Sequence, residues 1–310
     1  MDVVNICGAS KTYSGKRAVD DLRMTVPQGA IYGFVGRNGA GKSTAMKLIA
    51  GLASPDDGGV EVFGRPVNAR AGARQSGGIV QRVGVLIENP GVLPNMSAMD
   101  NMMALALALG VPKPRKACAD LLSQVGLSDT GRKRAKGFSL GMKQRLGLAM
   151  ALLGGPDLLL LDEPLNGLDP EAARDMRNYL VQLNRTRGIT IVISSHALDQ
   201  LERMCTHYGV IANGRMVRQM TAEQVQHECG ESLRVRTADP SRTLALLEDA
   251  SLGDGVRFAA EPDGSIVVSG GFDPARVSAL LHQTGQEVLE LSMQSRDMEE
   301  YFVALMEGGR

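Results

Sequence analysis

The sequence predicts an α/β fold in which a mainly parallel sheet is covered by helices and carries an inserted helical subdomain. Three observations lead to this prediction. Apolar strand-like runs alternate with helical patterns, an all-helical stretch interrupts them, and the last quarter of the chain has a different pattern. The chain has 310 residues, 44% of them hydrophobic, so it can bury a large core.

The first part of the chain reads as short strands and turns. "AIYGFVG" (Ala30–Gly36) has the character of a buried strand, and a glycine-rich turn leads from it into a helix from about Lys42 to Ala50. A turn and another strand follow between Gly51 and Gly64. Strands separated by helices in this way are typical of a parallel sheet.

The middle of the chain is helical from about Met96 to Leu153, where apolar residues recur at helical spacing. The α/β pattern resumes with the strand "DLLLLDEP" (Asp157–Pro164), a helix from about Pro170 to Thr186, and the strand "GITIVISSH" (Gly188–His196). We therefore expect the helical stretch, at about residues 90–155, to be inserted between two halves of one sheet.

Beyond about Gly230 the pattern spells β-α-β-β-α-β, with a Pro-Asp-Gly turn in the central hairpin and a final helix near the end. This is the order of a ferredoxin-like split unit. The expected organisation is a first domain at residues 1–225 and an accessory α+β domain at residues 230–310. The second region shows no catalytic constellation, so its expected role is regulatory or structural.

Composition excludes several classes of function. The 34 Lys and Arg residues balance 34 Asp and Glu residues, so no bulk charge favours nucleic acid as a partner. The four cysteines are scattered without CxxC spacing, which argues against zinc and disulfides. The N-terminal sequence lacks the pattern of a signal peptide, and no apolar run reaches the roughly 18 residues of a spanning helix. We expect a cytosolic chain.

A phosphate-binding motif follows the first buried strand. "GRNGAGKST" (Gly36–Thr44) fits G-x-x-x-x-G-K-[ST] between a strand and a helix, the context of a P-loop. Its backbone N–H groups and the helix N-terminus favour phosphate oxygens. Lys42 is expected to reach the β- and γ-phosphates of ATP, and Ser43 to ligate Mg²⁺. The nucleotide-binding residues predicted from this motif are Gly36, Asn38, Gly39, Gly41, Lys42, Ser43 and Thr44.

Two adjacent carboxylates end the strand "LLLLDEP" (Leu158–Pro164). Downstream of a P-loop, Asp162 is expected to hold Mg²⁺ through water, and Glu163 to orient or deprotonate the attacking water. A second phosphate cap is predicted at "FSLGMKQRLGLAM", where Ser139 and Gly141 stand just ahead of an amphipathic helix. Taken alone, that cap could also be a plain N-capped helix.

With these motifs in order, the sequence resembles the nucleotide-binding subunits of ABC transporters over about Val3 to Val225. "SLGMKQ" stands where that family has its signature, with Ser139 and Gly141 matching and Leu140 and Met142 departing from Gly and Gln. The resemblance implies that Tyr13 stacks on adenine, that Asp169 of "NGLDP" reaches a partner subunit, and that His196 contacts the γ-phosphate during catalysis.

The resemblance also implies partners. Two copies are expected to pair head-to-tail, each ATP held between one P-loop and the other copy's Ser139–Gly141 cap, with a separate membrane permease holding the dimer at the cytoplasmic face of the membrane. A soluble ABC-type ATPase acting on nucleic acid or ribosomes is the alternative. It is disfavoured because the chain has a single cassette, no sustained heptads and zero net charge. A non-hydrolysing nucleotide sensor is disfavoured by the presence of Glu163 and His196.

The stretch "VLIENPGVLP" (Val85–Pro94) occupies the place of the family's Q-loop, and Glu88 replaces the glutamine. This resembles the branch that exports bacitracin-like peptides and lantibiotics. A carboxylate can face Mg²⁺ but cannot donate the hydrogen bond of an amide. Glu88 is therefore predicted to be a metal-proximal residue that couples the ATPase to export, and the loop after it to touch the permease.

Overall fold

The computed structural model describes residues 1–67, 82–88, 91–229, 231–250, 252–253, 255–295 and 297–308. The chain divides into two compact units, Met1–Met220 together with Leu305–Arg310, and Thr221–Ala304.

The centre of the first unit is a six-stranded sheet with the order β10-β9-β3-β8-β7-β6. The pairs β9–β3, β3–β8, β8–β7 and β7–β6 are parallel. Every residue of β3, β7 and β8 is buried, as expected for strands covered on both faces. Its strands are β3 (Ile31–Val35), β6 (Val83–Leu86), β7 (Leu158–Asp162), β8 (Thr190–Ser195), β9 (His207–Ala212) and β10 (Arg215–Thr221).

A second, antiparallel sheet has the order β2-β1-β4-β5. Its strands are β1 (Asp2–Tyr13), β2 (Lys16–Pro27), β4 (Asp57–Val62) and β5 (Arg65–Pro66). The prediction of short strands in this region was wrong, because β1 and β2 each have 12 residues. Each alternates buried and more exposed positions along most of its length, the pattern of a sheet with one face on the core.

Five α-helices lie in the described part of the first unit: α1 (Lys42–Ile49), α2 (Ala98–Ala108), α3 (Pro114–Gln124), α4 (Leu140–Leu152) and α5 (Pro170–Arg187). Helices α2, α3 and α4 pack on one another, and α4 also packs on β6. A capping box between Ser97 and Asp100 fixes the start of α2.

Helix α4 differs from its prediction in two ways. It begins at Leu140, so Gly141 lies inside the first turn and not ahead of it. Its burial is also not confined to one stripe, since the consecutive residues Leu146 to Ala149 are all buried.

The second unit contains α6 (Ala222–Cys229), β11 (Glu231–Thr237), α7 (Pro240–Asp249), β12 (Arg257–Ala260), β13 (Ile266–Ser269), α8 (Pro274–Gln283), β14 (Val288–Ser295) and most of α9 (Met298–Gly308). Its antiparallel sheet has the order β12-β13-β11-β14, the arrangement of a split β-α-β unit. Leu233, Val235, Val268 and Leu281 are among the buried residues of its core.

Among the described residues, none of the helices combines the length and the apolar character that crossing a bilayer demands.

Candidate nucleotide-binding site

Four adjacent parallel strands end at the same edge of the central sheet. The P-loop follows β3, His196 follows β8, Asp162 and Glu163 lie at the end of β7, and Glu88 comes two residues after β6. Ligands of open α/β sheets bind at the carboxyl ends of the strands. The topology therefore explains why motifs far apart in sequence can form one site.

The P-loop depends on glycine where its backbone passes close to neighbouring strands. A Cβ atom at Gly36 would lie 2.6 Å from the carbonyl oxygen of Ile211, and one at Gly41 would lie 2.6 Å from that of Ala18. Gly41 also has φ +112° and is the N-cap of α1, which no side chain of the described residues caps. The N-terminus of α1 can therefore present its N–H groups to phosphate oxygens.

The other predicted P-loop residues follow the same path. Asn38 and Gly39 are exposed on the loop, whereas Ser43 and Thr44 are half-buried in the first turn of α1. The loop is tied to the rest of the unit, because the Gly214 N–H donates to the carbonyl of Ala40 at 2.9 Å.

Lys42 is 5% exposed, and its ammonium faces acceptors from the P-loop and from Glu163. Nζ donates to the Gly36 carbonyl at 2.6 Å and lies 3.2 Å from Oε1 of Glu163. A buried ammonium must be paired, and phosphate oxygens are alternative acceptors for it. The structure thus brings together the P-loop lysine and the predicted catalytic carboxylate.

Glu163 lies between Lys42 and His196. Its Oε2 is 2.8 Å from Nδ1 of His196, while its Oε1 is buried and has no partner with hydrogen-bond geometry among the described residues. The backbone of Glu163 has φ +50°, a conformation that costs a non-glycine residue about 1–2 kcal/mol. A strained residue at a strand end whose carboxylate contacts both the P-loop lysine and His196 is the arrangement expected of a group that acts on a reacting water.

Asp162 is buried and bonded to a residue that the sequence did not single out. The hydroxyl of Ser194 donates to Oδ1 of Asp162 at 2.5 Å and accepts from the N–H of Glu163 at 2.9 Å. The only signal in the sequence was a hydroxyl inside the apolar run "TIVIS".

Glu88 has φ +62°, and its carboxylate pairs with Nζ of Lys47 on α1 at 2.5 Å. Its side chain is 59% exposed. No local sequence pattern indicates this ion pair, because its members are 41 residues apart. Residues 89–90, directly after Glu88, lie outside the described residues.

Tyr13 ends β1 and is 44% exposed, so its ring is accessible for stacking. Asp56 fixes the end of this strand by accepting hydrogen bonds from Nζ of Lys11 and from the N–H of Thr12, each at 2.7 Å. The Lys11 hydrogen bond, reinforced by that of Thr12, holds the pKa of Asp56 below its usual value. The ammonium of Lys11 lies 5.5 Å from the centre of the Tyr13 ring.

The predicted partner-facing residues lie around a different cavity, of about 570 Å³, lined by Ser139, Leu140, Gly141, Met142 and Asp169 among others. No P-loop residue is among those lining it. Ser139 accepts a hydrogen bond from the N–H of Met142 at the start of α4, and Asp169 accepts one from Ala172 at the start of α5. The structure does not bring these residues to the chain's own P-loop.

A larger apolar groove, of about 890 Å³, lies between the central sheet and the helical subdomain. Its lining includes Val85 and Ile87 from the strand that leads to Glu88, Gly91 from the loop after it, and Leu105 and Leu109 from α2 and its C-terminus. This groove therefore adjoins the segment that carries Glu88.

The oxygen donors fit a magnesium ion that is shared with a nucleotide. Asp162 and Ser43 supply a carboxylate and a hydroxyl, but among the described residues no three His, Cys, Asp or Glu side chains cluster as a metal site. Mg²⁺ typically takes one or two protein oxygens and completes its shell with phosphate and water, so a partial donor set is what such an ion requires.

Three features of the site together define a P-loop nucleotide hydrolase: a glycine-rich turn that leads into an uncapped helix, a buried lysine, and a pair of carboxylates next to that lysine.

Comparisons with known proteins specify the family. The model of the ABC transporter family matches residues 19–166. The bacitracin transport ATP-binding protein BcrA of Bacillus licheniformis is 36% identical over 308 residues, which cover 99% of this chain and 98% of that protein. The chain belongs to the ATP-binding subunits of ABC transporters.

Two further similarities agree with this assignment. The lantibiotic transport ATP-binding protein SrtF of Streptococcus pyogenes is 37% identical over 215 residues, covering 69% of this chain and 89% of that protein. A dimeric structure of the ATP-binding cassette MJ0796 bound to ADP and Pi superposes with a TM-score of 0.66 at 21% identity, covering 71% of this chain and 98% of that one. The predicted ABC fold and ATPase class are confirmed.

Proposed function

We propose that this chain is the ATP-hydrolysing subunit of an exporter that removes peptide antibiotics of the bacitracin or lantibiotic type through a separate membrane permease. The observation that carries the cargo class is the similarity to the bacitracin transport protein, which extends over 99% of the chain and so includes the second unit. The glutamate at position 88 is consistent with the same branch.

The site supports hydrolysis by an activated water. Glu163 is the proposed base, because its carboxylate lies at the strand end beside the P-loop, with Oε1 paired to Lys42 at 3.2 Å and Oε2 to Nδ1 of His196 at 2.8 Å. Lys42 and the N-terminus of α1 bind the phosphates. Mg²⁺, held by Ser43 and Asp162 with Glu88 near it, would neutralise phosphate charge when bound. Tyr13 would stack on adenine, as its exposure allows.

The second phosphate cap supports a dimer. Ser139 and Gly141 line a cavity that none of the P-loop residues reaches, so a cap of this kind can serve a nucleotide held by another copy. An isologous head-to-tail pair would place two ATP molecules between two P-loops and two caps, with Asp169 crossing at the same interface. ATP would then stabilise the closed pair, and hydrolysis would release it.

The apolar groove beside Glu88 is the proposed contact with the permease. It exposes leucine side chains to solvent, with Leu109 36% and Leu52 64% exposed. An amphipathic helix seated in a hydrophobic groove is a common mode of recognition. Docking there would hold the chain at the cytoplasmic face of the membrane and bring the permease next to the Glu88 segment.

The proposal is tested by expressing the chain with the membrane protein encoded beside it in a bacitracin-sensitive host. We expect resistance that Glu163→Gln abolishes and that Glu202→Gln, which changes an exposed carboxylate outside the site, preserves. We also expect the two proteins to co-purify. Leu109→Asp in the groove should prevent co-purification, whereas Leu107→Asp, on α2 but outside the groove lining and 67% exposed, should not. Absence of resistance together with co-sedimentation on ribosomes would refute the proposal.

A further inference from the structure

Ser194, the penultimate residue of β8, lies between two other strands of the central sheet. It is directly opposite Asp162 in the parallel pairing of β7 and β8, and opposite Phe34 in the pairing of β8 and β3. Its exposure is 0%. A hydroxyl without partners at such a position would cost about 1–3 kcal/mol, so its hydrogen bonds decide what it does there.

The directions of both hydrogen bonds follow from the chemistry of the groups. A backbone N–H can only donate, so Oγ of Ser194 must accept from the N–H of Glu163 at 2.9 Å. The hydroxyl proton is then directed to Oδ1 of Asp162, 2.5 Å away. A single hydroxyl thus connects the side chain of one carboxylate residue to the backbone of the next.

The hydrogen bond from the Glu163 N–H to Ser194 involves a residue with a strained backbone. Glu163 has φ +50°, and this left-handed backbone conformation directs its side chain away from that of Asp162. Asp162 stays at the end of β7, while the carboxylate of Glu163 reaches Lys42 and Nδ1 of His196. Because the N–H of Glu163 donates to Ser194 in this conformation, the hydrogen bond favours the left-handed turn over an extended backbone that would continue the strand.

We propose that Ser194 is a positioning residue for ATP hydrolysis that sets the orientation of Asp162 and the backbone turn at Glu163 with one hydroxyl group. This inference rests on the proposed role of Glu163 as the base. Ser194 is not proposed to contact nucleotide or water itself. It acts through Asp162 and Glu163.

The test compares Ser194→Ala with the purified wild-type chain. Loss of the hydroxyl frees the Asp162 carboxylate and leaves the Glu163 N–H unpaired, and misplacement of a base by about 1 Å can cost about 10²-fold in rate. We expect kcat for ATP to fall about 10- to 100-fold while KM and the calorimetric affinity for ADP stay within about threefold, because binding depends on the P-loop.

Two variants separate positioning from a general loss of stability. Ser194→Thr keeps the hydroxyl and should restore most of kcat. Thr190→Val is the matched control: Thr190 is 1% exposed at the opposite end of β8, where its hydroxyl accepts from the N–H of Gly29 at 2.9 Å. It should lower the unfolding temperature about as much as Ser194→Ala does and leave kcat unchanged.

Several results would overturn the inference: a kcat of Ser194→Ala within about twofold of wild type, an equal loss of kcat in Thr190→Val, or no recovery in a folded Ser194→Thr. If Ser194→Ala does not fold, Ser194→Cys retains the volume with a weak donor and should give an intermediate kcat. These outcomes remain distinct from failure of the base assignment, which would appear as near-normal hydrolysis in Glu163→Gln.

Discussion

Replacing Glu163 with glutamine separates nucleotide binding from hydrolysis. The substitution keeps the size of the side chain and removes its charge and its basicity. Loss of a positioned general base lowers turnover by about 10²- to 10⁴-fold, and we expect steady-state phosphate release to fall within that range. ATP binding should persist, because Lys42 and the start of α1 are unchanged.

The structure also gives the direction of the change in affinity. Unit charges 3.2 Å apart, the distance from Lys42 Nζ to Glu163 Oε1, attract by about 5 kcal/mol at an effective dielectric constant of about 20, before desolvation is counted. Desolvation offsets much of this attraction, so only a small part is a net gain. Glutamine no longer competes with phosphate for Lys42, and ATP should bind at least as tightly as to the wild type.

The measurements are phosphate release, isothermal calorimetry with ATP, and light scattering with ATP to detect a dimer that no longer opens. Glu202→Gln is the control, because it removes an exposed carboxylate away from the strand ends. Hydrolysis by Glu163→Gln within about twofold of wild type would show that another group activates the water.

Three further predictions concern other parts of the site. Gly36→Ala places a Cβ 2.6 Å from the Ile211 carbonyl and should lower the free energy of unfolding by about 1–3 kcal/mol and weaken ATP binding. Gly59→Ala, whose Cβ meets nothing within 4 Å, should do neither in the same calorimetry and denaturation series. The lowered pKa of Asp56 means that its hydrogen bonds with Lys11 and Thr12 stabilise the fold above the unfolded-state pKa of about 3.9, and that this contribution is lost as pH falls through the folded-state value. Thermal unfolding of Asp56→Asn should therefore lie below wild type at pH 7, with a gap that narrows in acid; a constant gap would contradict this assignment. Glu88→Gln should retain basal ATPase activity and reduce peptide resistance in the co-expression assay, and no change in either would remove its coupling role.

The arrangement of the candidate site could be predicted because its parts are short and contiguous in sequence. The P-loop, the Asp162–Glu163 pair and His196 each follow an apolar run, and parallel strands bring such positions to one edge. The element order of the second unit was predictable for a similar reason, since its alternation and its Pro-Asp-Gly turn are local signals.

Pairing between distant segments was not predictable. The antiparallel sheet of β1, β2 and β4 depends on which strands meet, and the local pattern of each strand does not carry that information. The Lys47–Glu88 ion pair was not predictable for the same reason, because the local pattern does not show that these two segments meet. Ser194 was missed for a different reason: a hydroxyl in a buried strand looks like any other satisfied polar residue until its two partners are known.

The contacts of Lys42 suggest how binding and chemistry are linked. Its ammonium is shared between the Gly36 carbonyl and Glu163, the group proposed to act on water. Phosphate oxygens are charged acceptors and compete with Glu163 for the same ammonium. If phosphate oxygens replaced Glu163 as acceptors for Lys42, Glu163 would keep its contact with His196 through Oε2, its Oε1 would lose its partner, and the hydroxyl of Ser194 would still accept from its N–H. In the proposed mechanism, binding of the substrate phosphate would therefore free the base to contact water while the backbone of the base stays fixed.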